Sequence, residues 1–115
     1  MIKLYSIYLY IRSFLTFFIF GPILLFILFL FPSIIHRSIT LLCKLMVYMF
    51  GCKIHHTGEF PDNEQYVIMA NHASFLDVFA IPTILQGKFS AISASKNFKI
   101  PIFSIFLKKL KVISI

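Results

Sequence analysis

At 115 residues the chain is long enough for one small domain and short for an enzyme that also carries a membrane anchor. Only 13% of its residues are charged and 59% are hydrophobic, with a mean hydropathy of +0.90, whereas an ordinary soluble domain carries roughly 25% charged residues; a wholly water-exposed surface is excluded. The net charge of +7 comes from 11 basic and 4 acidic residues, and in so apolar a chain it points to an anionic lipid surface and away from nucleic acid.

Residues 14–35 carry no charge over 22 positions. A bilayer core of about 30 Å needs about 20 such residues in a helix. Tyr5, Tyr8 and Tyr10, near Lys3 and Arg12, have the composition of an interfacial belt, and His36 and Arg37 end the run on the other side. Gly21-Pro22 sits in the middle, and a proline removes a backbone donor and crowds the preceding turn, so a kink is expected near residues 19–22. Two readings follow: a single tilted span, or a hairpin of two short helices that dips into one leaflet. A cleaved signal peptide fits poorly, because the apolar run is too long and no small-x-small site follows it. Residues 38–50 read as a second helix that stops at Gly51. Cys43, in that helix, is expected to act as a small hydrophobe, and its spacing to Cys52 fits no redox or zinc pattern. Residues 1–50 are therefore expected to form a membrane-anchoring helical region.

The pattern changes after Gly51. Residues 53–57 read as a short extended segment and residues 58–64 as turn-rich. Residues 66–70 (Tyr-Val-Ile-Met-Ala) form an apolar run of strand length and are expected to be a buried strand. A helix is expected over 74–85, with Ser74 and Asp77 spaced as a capping pair and Pro82 near its end. Residues 89–93 read as a second strand and 102–110 as a helix with Pro101 at its first turn. Residues 112–115 then open another strand. Strands alternating with helices predict an α/β fold for residues 51–115, following the N-terminal membrane helix or helical hairpin.

His72 and Asp77 are the residues most suited to chemistry, where the expected strand gives way to the helix. Five residues apart in one ideal helix their side chains would diverge by about 140°. With His72 on the loop and Asp77 in the first turn they can converge. A neutral imidazole accepts a proton from an attacking alcohol, and a carboxylate on its other nitrogen fixes the tautomer. The alternative is structural, with Asp77 merely capping the helix. Asn71 is a candidate for orienting the loop, and Ser74 for capping the helix or touching substrate. Lys96 and Lys99 flank a turn before a helix; they suit a phosphate headgroup, and equally a solvated face. His55 and His56 are adjacent in an extended segment and face opposite ways, so no metal site is expected. No nucleotide-binding glycine motif and no nucleophile elbow are present.

Asn71-His72-Ala73-Ser74-Phe75-Leu76-Asp77 resembles the first motif, Asn-His-x-Ser-x-x-Asp, of the lysophospholipid acyltransferase family, the 1-acyl-sn-glycerol-3-phosphate acyltransferases. All four defining positions match. Lys53-Ile54 through Gly58-Glu59 and Pro61 resembles the family's upstream strand and turn. Ser95-Lys96-Asn97-Phe98-Lys99-Ile100-Pro101 resembles its second block. The resemblance covers roughly residues 47–115, the N-terminal portion of such an enzyme. It implies that His72 is a general base, with Asp77 as its orienting partner. It further implies acyl transfer from acyl-CoA or acyl-carrier protein, as co-substrate, to the free hydroxyl of a lysophospholipid such as lysophosphatidate, giving phosphatidate. Neither a metal, a cofactor nor a covalent acyl-enzyme is implied.

The sequence also departs from the family. The glycine expected around Ser104 is missing, and neither the Glu-Gly-Thr-Arg motif associated with the acceptor's phosphate nor the later proline-containing motif occurs. The expectation is therefore an incomplete acyltransferase domain that is inactive or weak by itself. It would be truncated, degenerate, or split, with a separately encoded C-terminal half as partner. The competing expectation is a non-catalytic membrane-bound remnant or interaction protein.

Overall fold

A computed structural model describes residues 1–61 and 64–115. The chain opens on helix α1, Ile2–Leu30, which is apolar all round. Such a helix suits lipid on its free sides. It is long and apolar enough to cross a membrane. Pro22 lies inside it, and the helix runs unbroken through that position. The hairpin of two short helices is therefore not formed, because the turns on either side of Pro22 keep their own backbone bonds. The reversal comes later. Phe31 closes α1 by donating its amide to Ile27 O at 2.9 Å, a 3₁₀ turn spans Pro32–Ile34, and helix α2, Ile35–Met49, folds back onto α1.

Helix α2 buries one stripe: Ser38, Ile39, Leu42, Cys43, Met46 and Val47. That i, i+3, i+4 spacing is one helical face. Cys43 is buried and free, as a small hydrophobe should be. Where α1 turns a hydroxyl inward, the helix satisfies it locally: Ser13 Oγ donates to Leu9 O and Thr16 Oγ1 to Arg12 O, both at 2.8 Å. Arg12 itself donates from Nε to Met49 O at 2.9 Å, and its Nη2 also donates to Met49 O and to Tyr48 O. These carbonyls close α2; Tyr48 O also accepts the Gly51 amide at 2.9 Å, whereas Met49 O has no other partner among the described residues, and a guanidinium matches the negative end of the helix dipole. Leu9 packs under Gly51, whose φ of +73° ends the helical pair.

Beyond Gly51 the region is mixed α/β, consistent with part of an α/β acyltransferase-type domain. Helix α3, Asp77–Ile84, packs on α2, with the Phe50 and Phe79 rings 6.0 Å apart and Thr40 Oγ1 donating to Pro82 O at 3.3 Å. Strands β1, Ile92–Ser93, and β2, Ile113–Ser114, pair in parallel, Ile92 opposite Ile113. Between them lie a 3₁₀ helix, Ser95–Lys99, and helix α4, Phe103–Lys109. Asn97 Nδ2 donates to Ser93 Oγ at 2.8 Å and fastens the 3₁₀ helix to β1. Helix α4 also packs on α1: the Phe106 and Phe17 rings are 6.5 Å apart, and a Cβ on Gly21 would come within 3.0 Å of Ile102 Cγ2.

Three local expectations are corrected. Residues 66–70 are irregular and exposed, not a buried strand. A strand needs a neighbour to take its amides and carbonyls, and among the described residues only β1 and β2 pair. Residues 53–57 are likewise irregular and exposed. The turn expected over 58–64 falls partly outside the described residues, at Asp62 and Asn63. Pro101 does not begin α4. Ile102 stands at φ 65°, ψ −55°, with the Phe103 amide donating to Pro101 O at 2.6 Å. That γ-turn is unusual at a β-branched residue and delays the helix to Phe103.

Replacing Arg12 with leucine should lower the unfolding free energy by about 1–3 kcal/mol, since charge-assisted bonds to helix-end carbonyls are lost. Arg12→Lys should recover only part, because an ammonium on a flexible stem lacks the planar, pre-organised fork of a guanidinium. Thermal unfolding in detergent micelles, followed by helical circular dichroism, would check both values.

Candidate functional site

The segment from Asn71 to Asp77 is a loop that tightens into α3. Ser74 accepts the Asp77 amide through its carbonyl at 3.1 Å, and Ser74 Oγ accepts the Leu76 amide at 3.2 Å. Asp77 reaches back: its Oδ2 accepts the Ser74 amide at 2.9 Å and the Ala73 amide at 3.0 Å. The Asp77 carboxylate makes the half of a capping box that the Ser-x-x-Asp spacing predicts, reaching back to the Ser74 amide, while Ser74 Oγ takes the Leu76 amide in place of that of Asp77, so the reciprocal half is not formed. The same Oδ2 lies 3.0 Å from His72 Nδ1. The loop thus brings together the two side chains that an ideal helix would separate.

The electrostatics of the pair follow from these bonds. The Ser74 amide first, then His72, then the Ala73 amide hold the Asp77 carboxyl below its ordinary value of 3.8, against a smaller opposing effect of burial. Asp77 is therefore ionised at neutral pH and can only accept. It follows that Nδ1 of a neutral His72 carries the proton and donates to Oδ2, leaving the Nε2 lone pair unprotonated. His72 is 64% exposed in its side chain and Asp77 26%. The imidazole is reachable from solvent, while the carboxylate is more covered. Nε2 makes no hydrogen bond among the described residues.

The remaining candidates are dispersed. Asn71 is exposed, and its side chain makes no hydrogen bond among the described residues. Lys96 and Lys99 lie on the 3₁₀ helix Ser95–Lys99, both exposed, and no ion pair or hydrogen bond links them to the His72 loop among the described residues. His56 stacks on Phe60 at 5.6 Å, and Phe60 on Tyr66 at 5.6 Å. An open groove of about 300 Å³, between α2 and the C-terminal part of α3, is lined by Lys44, Tyr48, Cys52, His56, Thr83 and Ile84 among others, and no residue of the 71–77 loop lines it. What the sequence reading missed is the bond from the Ala73 amide. Its signal was available in the capping spacing, since a carboxylate that reaches the N-cap amide also passes the amide before it.

An acid titration separates the capping carboxylate from the rest. A carboxyl whose pKa is lowered on folding binds fewer protons folded than unfolded between the two values, so its contribution is present above 3.8 and is lost as pH falls through the lowered value. The wild-type stability should therefore fall faster than that of Asp77→Asn as pH drops below about 4. Parallel unfolding curves across that range would refute the assignment.

A model of the Acyltransferase family matches residues 51–115, more than half of the chain. Comparison with curated proteins and with solved structures gives no match. The matched region holds the capped loop, the His72–Asp77 pair and both strands. On this match the chain belongs to the acyltransferase family.

Proposed function

We propose that this chain transfers a fatty acyl group from acyl-CoA or acyl-carrier protein to the free hydroxyl of a lysophospholipid such as lysophosphatidate, giving phosphatidate. The observation that carries the proposal is the 3.0 Å bond between His72 Nδ1 and Asp77 Oδ2, with the imidazole open to solvent. Family membership narrows the chemistry to acyl transfer, and the resemblance of the 71–77 motif names the acceptor class.

In this reading His72 Nε2 takes the proton of the acceptor hydroxyl. The oxygen attacks the thioester carbonyl, a C–O bond forms and the C–S bond breaks. The proton then passes from the imidazolium to the departing thiolate. Asp77 holds the ring in the tautomer that leaves Nε2 free and stabilises the positive charge as it develops. Ser74 shapes the loop through the cap, and Asn71 orients its start. Lys96 and Lys99 offer ammonium groups to the acceptor's phosphate. Residues 1–50, with α1 as their apolar helix, attach the chain to the membrane in which acceptor and product dissolve, and residues 51–115 carry the chemistry.

The test is an acyl-transfer assay in mixed micelles with lysophosphatidate and long-chain acyl-CoA. His72→Ala should abolish turnover. Asp77→Asn should lower kcat by about 10²–10⁴ through the wrong tautomer and a weakened loop. Lys96→Gln with Lys99→Gln should raise KM for the acceptor with a smaller change in kcat. Turnover by the wild type that survives His72→Ala unchanged would end the proposal. Turnover by the chain alone is expected to be weak, since the Glu-Gly-Thr-Arg motif associated with the acceptor's phosphate does not occur in it, and no turnover at all on acyl-CoA or acyl-carrier protein would favour the non-catalytic alternative.

A further inference from the structure

Residues 86–90 link α3 to β1. Among the described residues one hydrogen bond fastens them to the helical pair: the Phe89 amide donates to His36 Nδ1, in the first turn of α2, at 3.3 Å. The two rings also meet edge to face, with centroids 5.2 Å apart. On its other side the segment is tied to the strands. Ser90 Oγ donates to Lys111 O at 2.8 Å, and the Ile113 amide donates to Ala91 O at 2.9 Å. His36 is thus the polar contact through which α2 holds the entry to β1. Gly87, exposed at φ +73°, turns the chain two residues before Phe89 and gives the segment a pivot.

The bond needs a lone pair on Nδ1. A neutral imidazole offers one, with its proton on Nε2, whereas an imidazolium is a donor at both nitrogens. A protonated His36 would therefore set Nδ1–H against the Phe89 N–H. Its surroundings give the added charge nothing to pair with. On α2, Arg37 follows it and Lys44 lies about two turns on. The segment itself brings Lys88, and the chain entering β2 brings Lys111. Residues 14–35, which include the second half of α1 and the 3₁₀ turn, hold no ionisable side chain, and neither do residues 78–84 of α3. Asp77 stands at the far end of α3. Phe79 packs on Phe50 and Pro82 on Thr40, so α3 runs antiparallel to α2 and starts near the end of α2 remote from His36. Among the described residues Asp77 pairs with His72, and no ion pair involves His36.

We propose that His36 is an acid-sensitive latch: its neutral ring holds residues 86–90 on α2, and its protonation releases them, freeing the entry to β1 from the helical pair. Partial burial first, then Lys88, hold the closed imidazole below its ordinary value of 6.5. The released form therefore binds more protons than the closed form below 6.5. Closure is fully present above that pH and is lost progressively as pH falls from 6.5 to the lowered value. Phe89 also packs against the core, and this contact opposes release. The latch stands on the contacts of α2 and does not depend on the proposed acyl transfer.

Hydrogen exchange of the full chain in detergent micelles tests it, read by NMR at the Phe89 amide and referred to the intrinsic exchange rate at each pH. Protection of that amide should fall about tenfold for each pH unit below 6.5 until the ring ionises in place, while the Ile113 amide stays protected. The His36 ring signals should titrate over the same range. Asparagine sets a carbonyl oxygen near the Nδ1 position and takes up no proton, so His36→Asn should keep its protection between about pH 7 and about pH 5. His36→Leu, with no acceptor, should show the low protection throughout. A flat wild-type profile while the ring titrates would show that ring packing holds the segment whatever the charge, and overturns the latch. An equal fall in His36→Asn would assign the release to another group. Loss at Ile113 in step with Phe89 would show general acid unfolding, and either of these results overturns the latch too.

Discussion

One carboxylate oxygen organises the candidate site. Asp77 Oδ2 accepts from the Ser74 amide, the Ala73 amide and His72 Nδ1 within 2.9–3.0 Å. Two of these bonds come from amides of the loop that leads into α3 and the third from the imidazole, while the carboxylate that receives them stands on the first residue of α3. The position of the ring is thereby coupled to the geometry of a helix end, a more rigid reference than a free loop. An aspartate here cannot be exchanged for its amide without loss. Asparagine can set its one carbonyl oxygen at the Oδ2 position, but it gives up the negative charge that draws the three N–H donors and steadies the imidazole, so cap and ring orientation both weaken.

The contacts made by α1 determine how this region meets its surroundings. Arg12 closes the end of α2, Leu9 supports Gly51, and Phe17 and Gly21 receive α4. The segment that follows Gly51 is therefore fixed to the apolar helix at two places. His36, at the start of α2, adds a third tie by accepting the Phe89 amide at 3.3 Å through Nδ1. Partial burial and nearby Lys88 hold this imidazole below its ordinary pKa and favour the neutral acceptor form. The mixed α/β region thus rests on α1 and α2 through side chains from both helices and does not hang from a free linker.

The legible and illegible parts of the fold divide by the range of the interactions that decide them. The capping pair, the amphipathic stripe of α2, the apolar length of α1 and the approximate places of α3, α4, β1 and β2 follow from spacings within one or two turns. Residues 66–70 have the composition of a strand, but pairing is a long-range property, and no neighbour among the described residues supplies it. Ile102 misleads for the same reason. Nothing in Ile-Pro-Ile-Phe announces a positive φ at Ile102, nor that its side chain packs against Gly21, eighty-one residues earlier. The bonds of Arg12 to the end of α2 span 37 residues and were equally invisible. The sequence read Arg12 as a membrane-flanking charge, and it serves as a helix cap.

Exposure decides how the His72–Asp77 pair can act. An ion pair open to water contributes little through its field, because solvent screens it. A neutral imidazole 64% exposed is held by direction more than by charge: the Nδ1–H bond fixes the ring, and the two backbone amides fix the acceptor of that bond. Under the proposed acyl transfer, the apo site therefore brings orientation but not a dry environment. Most electrostatic stabilisation of a developing oxyanion requires that water be excluded and donors be aimed in advance. Substrate must then complete the site by covering His72, with the acyl chain and the lipid acceptor supplying the apolar lid that the loop lacks. On that account the apolar helix does more than retain the chain near its substrate, because the surface that brings the lipid hydroxyl to His72 also displaces the water that would otherwise weaken every bond the loop has prepared.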